Sequence, residues 1–246
     1  MKINEWDELA QNYESEFYTT QYILLPSVLK EFEGVENKLV LDLGCGFGYF
    51  SKIIKDKGAQ VVGLDSSKEM INIAKDKDKN IKYICGEAQR LTEYTNKKFD
   101  YVLAVMFFCC IKTKIDFKKV FNEIKKVLKE DGKIIILDYH EKGYKNIDSY
   151  LLKHNFSKDF EQKQQSPQKF EVKLTNKKDE TLKFFDYTWK LKDYKKELED
   201  YKITIKELNP KKSLVKNNQD ILKYFKENTV YMMLKAEKKD FYNNKE

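Results

Sequence analysis

Asp42, Gly44, Gly46 and Gly48 stand at alternate positions where the apolar run Lys38-Leu39-Val40-Leu41 ends, with Cys45 between the first two glycines. Glycines so placed let the backbone turn sharply and approach a ligand, and their N–H groups can face an anionic or polar group. Asp65 follows 21 residues after Gly44, at the end of a second apolar run, Ala59-Gln60-Val61-Val62-Gly63-Leu64, and is itself followed by Ser66. An acid at that distance in a strand–helix–strand unit faces ribose hydroxyls, and one carboxylate can accept from two of them. The competing role is a helix cap, which Ser67 could fill equally well. Glu87-Ala88 closes a third run, and Val105 lies near the end of a fourth. His140, one of two histidines, closes a fifth. Its ordinary pKa near neutrality makes it a candidate general base; otherwise it is a loop histidine without a role.

The elements that must position these residues follow from periodicity. Five short apolar runs alternate with amphipathic stretches, which predicts parallel strands joined by helices. Tyr49–Lys55 reads as a helix stopping at Gly58, Ser67 to about Lys75 as a second, and Lys114–Lys129 as a third with Phe117, Val120, Phe121 and Ile124 on one face. Parallel strands bring their carboxyl ends to one crevice, so the candidate residues converge there. After His140 the alternation stops. Lys169–Leu174 and Thr181–Tyr187 alternate as strands around the turn Asn176–Asp179, predicting a hairpin. A helix over Leu191–Leu198 and strands over 201–210 and 229–236 finish the pattern.

Composition bounds the function. The net charge is +7, but the cations are lysines apart from Arg90 and are interspersed with 40 acidic residues. Arginine, with its bidentate fork, is the usual reader of bases and phosphates, so nucleic acid is disfavoured as a partner. No apolar run reaches the roughly 20 residues of a membrane helix, and the first residues lack a secretory apolar core. The four cysteines, Cys45, Cys85, Cys109 and Cys110, have no C-x-x-C spacing. They read as reduced thiols of a cytoplasmic protein rather than a disulfide or zinc framework.

The nucleotide in question is narrowed by position 49. A dinucleotide fingerprint, G-x-G-x-x-G, would need glycine there, and the residue is Tyr49. The compact pattern Asp42-Leu43-Gly44-Cys45-Gly46-Phe47-Gly48 instead resembles the first motif of the class I S-adenosylmethionine-dependent methyltransferases. Phe99-Asp100-Tyr101-Val102 resembles their F-D-x-V strand, and Trp6-Asp7-Glu8-Leu9-Ala10-Gln11-Asn12-Tyr13 resembles the opening helix of small-molecule members. The resemblance implies S-adenosylmethionine as cofactor, with S-adenosylhomocysteine as product. It implies cofactor contacts from Asp42, Gly44, Cys45, Gly46, Gly48, Asp65, Ser66, Glu87, Ala88 and Val105. Tyr13 would lie near the methionine end, also as a candidate catalytic group beside His140. Glu87 replaces the usual aspartate and is one methylene longer. The Tyr-His that often precedes the last helix is here Tyr187-Thr188, and there is no Asn/Asp-Pro-Pro-Tyr for adenine or glutamine nitrogens.

The fold so implied is an α/β Rossmann-like seven-stranded, mostly parallel sheet with one antiparallel edge strand, helices on both faces and a lid insertion after the fifth strand. One domain is expected, with cap helices over 1–34, a cofactor-binding core over 35–140, a substrate-covering insertion over 141–190, a C-terminal helix and strands over 191–238, and a tail over 239–246. The expected reaction is methyl transfer to an O, N, S or C atom of a small molecule, by a monomer or homodimer, with no metal required. An RNA or protein methyltransferase and a non-catalytic cofactor-binding protein are the alternatives.

Overall fold

The apolar runs become strands, buried on both faces at 61–64 and 134–139 and only in part at 82–85, where Lys82 and Cys85 are exposed; the computed structural model describes residues 6–7, 10, 20–142, 156–157, 166–175, 181–208 and 229–239. The strands are β1 (Leu39–Leu43), β2 (Gln60–Asp65), β3 (Lys82–Cys85), β4 (Phe99–Val105), β5 (Leu128–Tyr139), β6 (Phe156–Ser157), β7 (Gln168–Thr175), β8 (Thr181–Thr188), β9 (Tyr201–Leu208) and β10 (Tyr231–Lys238). The helices of seven residues or more among the described residues are α1 (Leu25–Glu31), α2 (Tyr49–Asp56), α3 (Lys68–Lys77), α4 (Lys114–Val127) and α5 (Leu191–Glu197).

Among the described residues, seven strands form one sheet in the order β3-β2-β1-β4-β5-β10-β9. Pairing is parallel from β3 through β5. β10 is the one strand of opposite direction and lies toward the edge, antiparallel to both β5 and β9. The order reverses at β1, where the chain passes from β3 back across to β4. That reversal opens the crevice in which such sheets bind ligands, outside the carboxyl ends of the strands.

Helices cover both faces. One face buries Val28 of α1, Phe32 just after it and Ile54 of α2, with Ile71 and Ala74 of α3. The other buries Phe117, Val120, Phe121 and Ile124 of α4, with Tyr194 of α5 and Trp189. Phe108 joins this second core, stacking on Phe121 at 4.8 Å between centroids, while Trp189 stacks on Phe117 at 3.9 Å. Such pairs add about 0.5–1.5 kcal/mol each beyond area burial. The F-D-x-V strand also gains a physical reason. Asp100 Oδ2 accepts from the Leu39 N–H at 2.8 Å and Oδ1 from Lys129 Nζ at 2.9 Å, which pins the starts of β1, β4 and β5 together.

Two expected boundaries shift. The helix predicted to Lys129 stops at Val127, and β5 begins at Leu128 rather than after Asp131-Gly132. An irregularity in the β4–β5 register between Phe99 and Tyr101 absorbs the extra residues. The predicted hairpin forms as β7 and β8, antiparallel from Gln168↔Thr188 to Thr175↔Thr181, with β6 adding a third strand. Its turn, 176–180, and the 240–246 tail lie outside the described residues. The hairpin does not stand apart: Phe170, Val172 and Phe184 belong to the same core as Val28 and Phe32.

A candidate cofactor and acceptor cavity

The carboxyl ends of β1 to β4 open onto a cavity of about 850 Å³. Gly44, Cys45 and Gly46 line it from the β1 turn, Asp65 and Ser66 from β2, Glu87 and Ala88 from β3, and Val105 from β4. Sequence spacing therefore brings eight of its candidates to one surface. The reason is topological, since each closes a strand of the same parallel run.

Asp65 is the centre of this wall. Its Oδ2 accepts from the Gly46 N–H and its Oδ1 from the Ser67 N–H, both at 2.9 Å. Burial pushes its carboxyl up, and the backbone N–H groups of Ser67, Gly46 and Ser66 oppose that. Ser67 in turn caps α3, its Oγ accepting from the Met70 N–H at 3.1 Å. The cap role thus belongs to Ser67, and Asp65 lines the cavity. Gly46 has φ +51 and half-faces the cavity; the nearest atom to a Cβ built there is Met70 Sδ at 4.0 Å.

Asp42 and Gly48 do not line the cavity; they build the turn behind it. Asp42 is buried, and its Oδ2 accepts from Ser51 Oγ of α2 at 2.5 Å. Burial first, and the nearby Asp65 charge, push its carboxyl up to about 6. The folded state therefore binds a proton that the unfolded chain releases near 3.9. This contribution to stability is complete below about pH 4 and is lost as pH rises through 6. Two pKa units correspond to about 3 kcal/mol. In urea titrations from pH 4 to 7.5, Asp42→Asn is expected to lose less stability than wild type over that window. Parallel curves would mean that Asp42 ionises in the folded protein as it does in the unfolded chain.

His140 is not brought to the cavity. It is 2% exposed, its Nδ1 accepts from the Lys142 N–H at 3.0 Å, and its backbone N–H donates to the Val230 carbonyl at 2.8 Å. Burial holds the imidazole below its ordinary pKa. It closes β5 beside β10, and the antiparallel strand covers it, so the general-base reading loses its geometric basis. Tyr13 lies outside the described residues.

Several lining residues lie outside the set of candidate cofactor contacts. Phe107 and Phe108 follow one another, yet only Phe107 reaches the cavity while Phe108 is fully buried. Met106, with φ 50, turns the chain between them and β4. From the hairpin, alternation buries Phe184 and sends Phe185 to the cavity, 42% exposed and under Lys169 Nζ at 3.6 Å. Trp6 also lines the cavity and meets Phe184 with centroids 5.2 Å apart. Asp7 fixes that segment: its Oδ1 accepts from Ser67 Oγ at 2.6 Å and from the Glu69 N–H at 3.2 Å. The tryptophan–acid pair at the start of the chain was the available signal for this anchor.

Residues 41–136 match the family model described as a methyltransferase domain. The chain is 34% identical over 160 residues, 64% of its length, to an uncharacterised protein of Methanocaldococcus jannaschii, of which it covers 60%. It is 33% identical over 106 residues, 42% of its length, to the demethylmenaquinone methyltransferase of Thermotoga maritima, of which it covers 44%. The chain thus spans less than two thirds of either curated relative. Among solved structures, the CcbJ methyltransferase from Streptomyces caelestis superposes with a TM-score of 0.68, covering 98% of this chain and all of that one at 12% identity. That likeness is one of fold.

Proposed function

Because the chain belongs to the class I S-adenosylmethionine-dependent methyltransferase family, we propose that it transfers a methyl group from that cofactor to a small-molecule acceptor held in the cavity. The site's donor set fits the cofactor. A carboxylate has about four lone-pair positions; the Gly46 and Ser67 N–H groups occupy two on Asp65 and the Ser66 N–H also bonds to it, which leaves room for a ribose hydroxyl. The open surface above Gly46 gives the methionine end room against backbone, and Glu87 with Ala88 offers an edge for adenine. S-adenosylmethionine supplies a sulfonium methyl activated before it reaches the protein. The chain's own residues hold, align and dry the reactants.

The observation that carries the small-molecule reading is the cover. Trp6 from the N-terminal segment and Phe185 from the hairpin line the same cavity, and the Trp6–Phe184 contact joins the two segments. A polymer substrate needs a long open groove, whereas a cavity of about 850 Å³ edged by aromatic side chains suits an organic acceptor. The Thermotoga maritima relative, named for demethylmenaquinone, accords with this. No general base is built into the reading, since an amine or thiolate attacks unaided.

Calorimetric titration is expected to give saturable binding of S-adenosylhomocysteine and none of NAD; the opposite ranking would reject the cofactor. Transfer of labelled methyl is then expected to small acceptors with amine, thiol or hydroxyl groups, and to fall on Phe185→Ala. Robust labelling of RNA or protein instead would replace the acceptor class.

A further inference from the structure

Behind the cavity wall at Cys110, the turn after β4 and the end of β8 bring three ligand atoms together. Cys109 Sγ, Cys110 Sγ and an Asp186 carboxylate oxygen all lie within 4.8 Å of one another. Asp186 comes from 76 residues further along the chain, so this is a tertiary cluster and not a sequence motif. We propose that Cys109, Cys110 and Asp186 form a three-ligand site for a soft divalent cation, zinc(II) in type, with its fourth position open to the cavity.

Geometry supports the ligand set. Two Zn–S bonds of about 2.3 Å at a tetrahedral angle place their sulfurs about 3.8 Å apart, and the two thiols here are 4.0 Å apart. Consecutive residues on a helical turn normally diverge. Here the left-handed Met106 starts a 3-10 turn, Phe108–Cys110, whose two sulfurs both point back at the Met106 carbonyl, at 3.1 and 3.7 Å. Asp186 is 3% exposed, and the Tyr139 hydroxyl donates to its Oδ2 at 3.1 Å. A hydrogen bond of that kind orients a ligating carboxylate. Cys109 is buried, whereas Cys110 is half-buried and lines the cavity, which provides an entry path.

Two thiolates and a carboxylate with one open position is the donor count of a reactive zinc site, not of a closed structural one. Binding breaks two S–H bonds and forms two metal–sulfur bonds, and both protons leave to solvent. The open position would take water, or an acceptor's thiolate, oxygen or nitrogen from the cavity. This does not depend on the methyl-transfer reading, because metal binding is measured without cofactor or acceptor.

The test is a cobalt(II) titration of the full chain, reduced with a phosphine. One equivalent is expected to produce thiolate-to-cobalt charge-transfer absorption with tetrahedral d–d bands, displaced by zinc(II). Cys85→Ser, at the exposed cysteine, should keep the signal. Cys109→Ser/Cys110→Ser should abolish the charge-transfer band, and Asp186→Asn should keep it but weaken cobalt binding at least tenfold. Thermal unfolding followed by circular dichroism checks that each variant is folded. Absence of charge transfer in the wild type, or a signal that survives the double substitution or needs Cys85, overturns the site. The wild-type result alone decides if the variants fail to fold.

Discussion

Asp65→Ala is expected to weaken S-adenosylhomocysteine binding by about 2–4 kcal/mol, roughly 30- to 1,000-fold. Two effects add. The ribose loses a charged acceptor, and charge-assisted hydrogen bonds contribute about 1.5–3 kcal/mol each. The Gly46 and Ser67 N–H groups also lose the carboxylate that ties the β1 turn to the start of α3. The fold should persist, because Ser67 still caps α3 and Asp7 still accepts from Ser67. Asp65→Asn separates the two effects, since its amide oxygen can keep one backbone bond without the charge. Calorimetry on folded protein checks this. An unchanged dissociation constant for Asp65→Ala would reduce Asp65 to a brace of the turn.

Gly46 and Gly48 are expected to fail in opposite ways. Both have positive φ, so any side chain costs about 1–2 kcal/mol there. At Gly48 a Cβ would also lie 2.9 Å from Tyr83 Cζ and 3.2 Å from Ala74 Cβ, inside the packing of β3 and α3. Gly48→Ala should therefore destabilise the protein by roughly 2–5 kcal/mol, combining strain with overpacking. At Gly46 the space is open and belongs to the cavity. Gly46→Leu should cost only the backbone strain in stability yet weaken cofactor binding more than a hundredfold, because the side chain occupies the cofactor's place. Urea unfolding and calorimetry on both variants read the two quantities. Equal stability losses with equal affinities would mean that the two glycines serve one structural purpose.

The hairpin shows where sequence pattern stops. Alternation states that Phe184 and Phe185 face opposite ways, but not which of them meets the cavity. Packing decides it: Phe184 joins the core that holds Val28 and Phe32, which leaves Phe185 for the cavity. The same core membership means that the hairpin cannot be removed as a detachable cover, because Phe170 and Val172 would leave with it.

The sequence by itself determined the strand–helix alternation, the sheet's parallel core and the convergence of Gly44, Gly46, Asp65, Glu87 and Val105. Those features rest on local periodicity, glycine conformation and chain direction, all of which can be read over a few tens of residues. Tertiary structure alone decided the rest. Asp42 and Gly48 share the same motif as the lining glycines, yet they face the interior because α2 and β3 pack against that side of the turn. His140 closes a strand like the others but is buried beside β10, a neighbour supplied from 90 residues later. Cys109, Cys110 and Asp186 meet only because β8 crosses the turn after β4. Contacts between segments that far apart depend on how the faces pack, and side-chain type and spacing along one segment do not encode that.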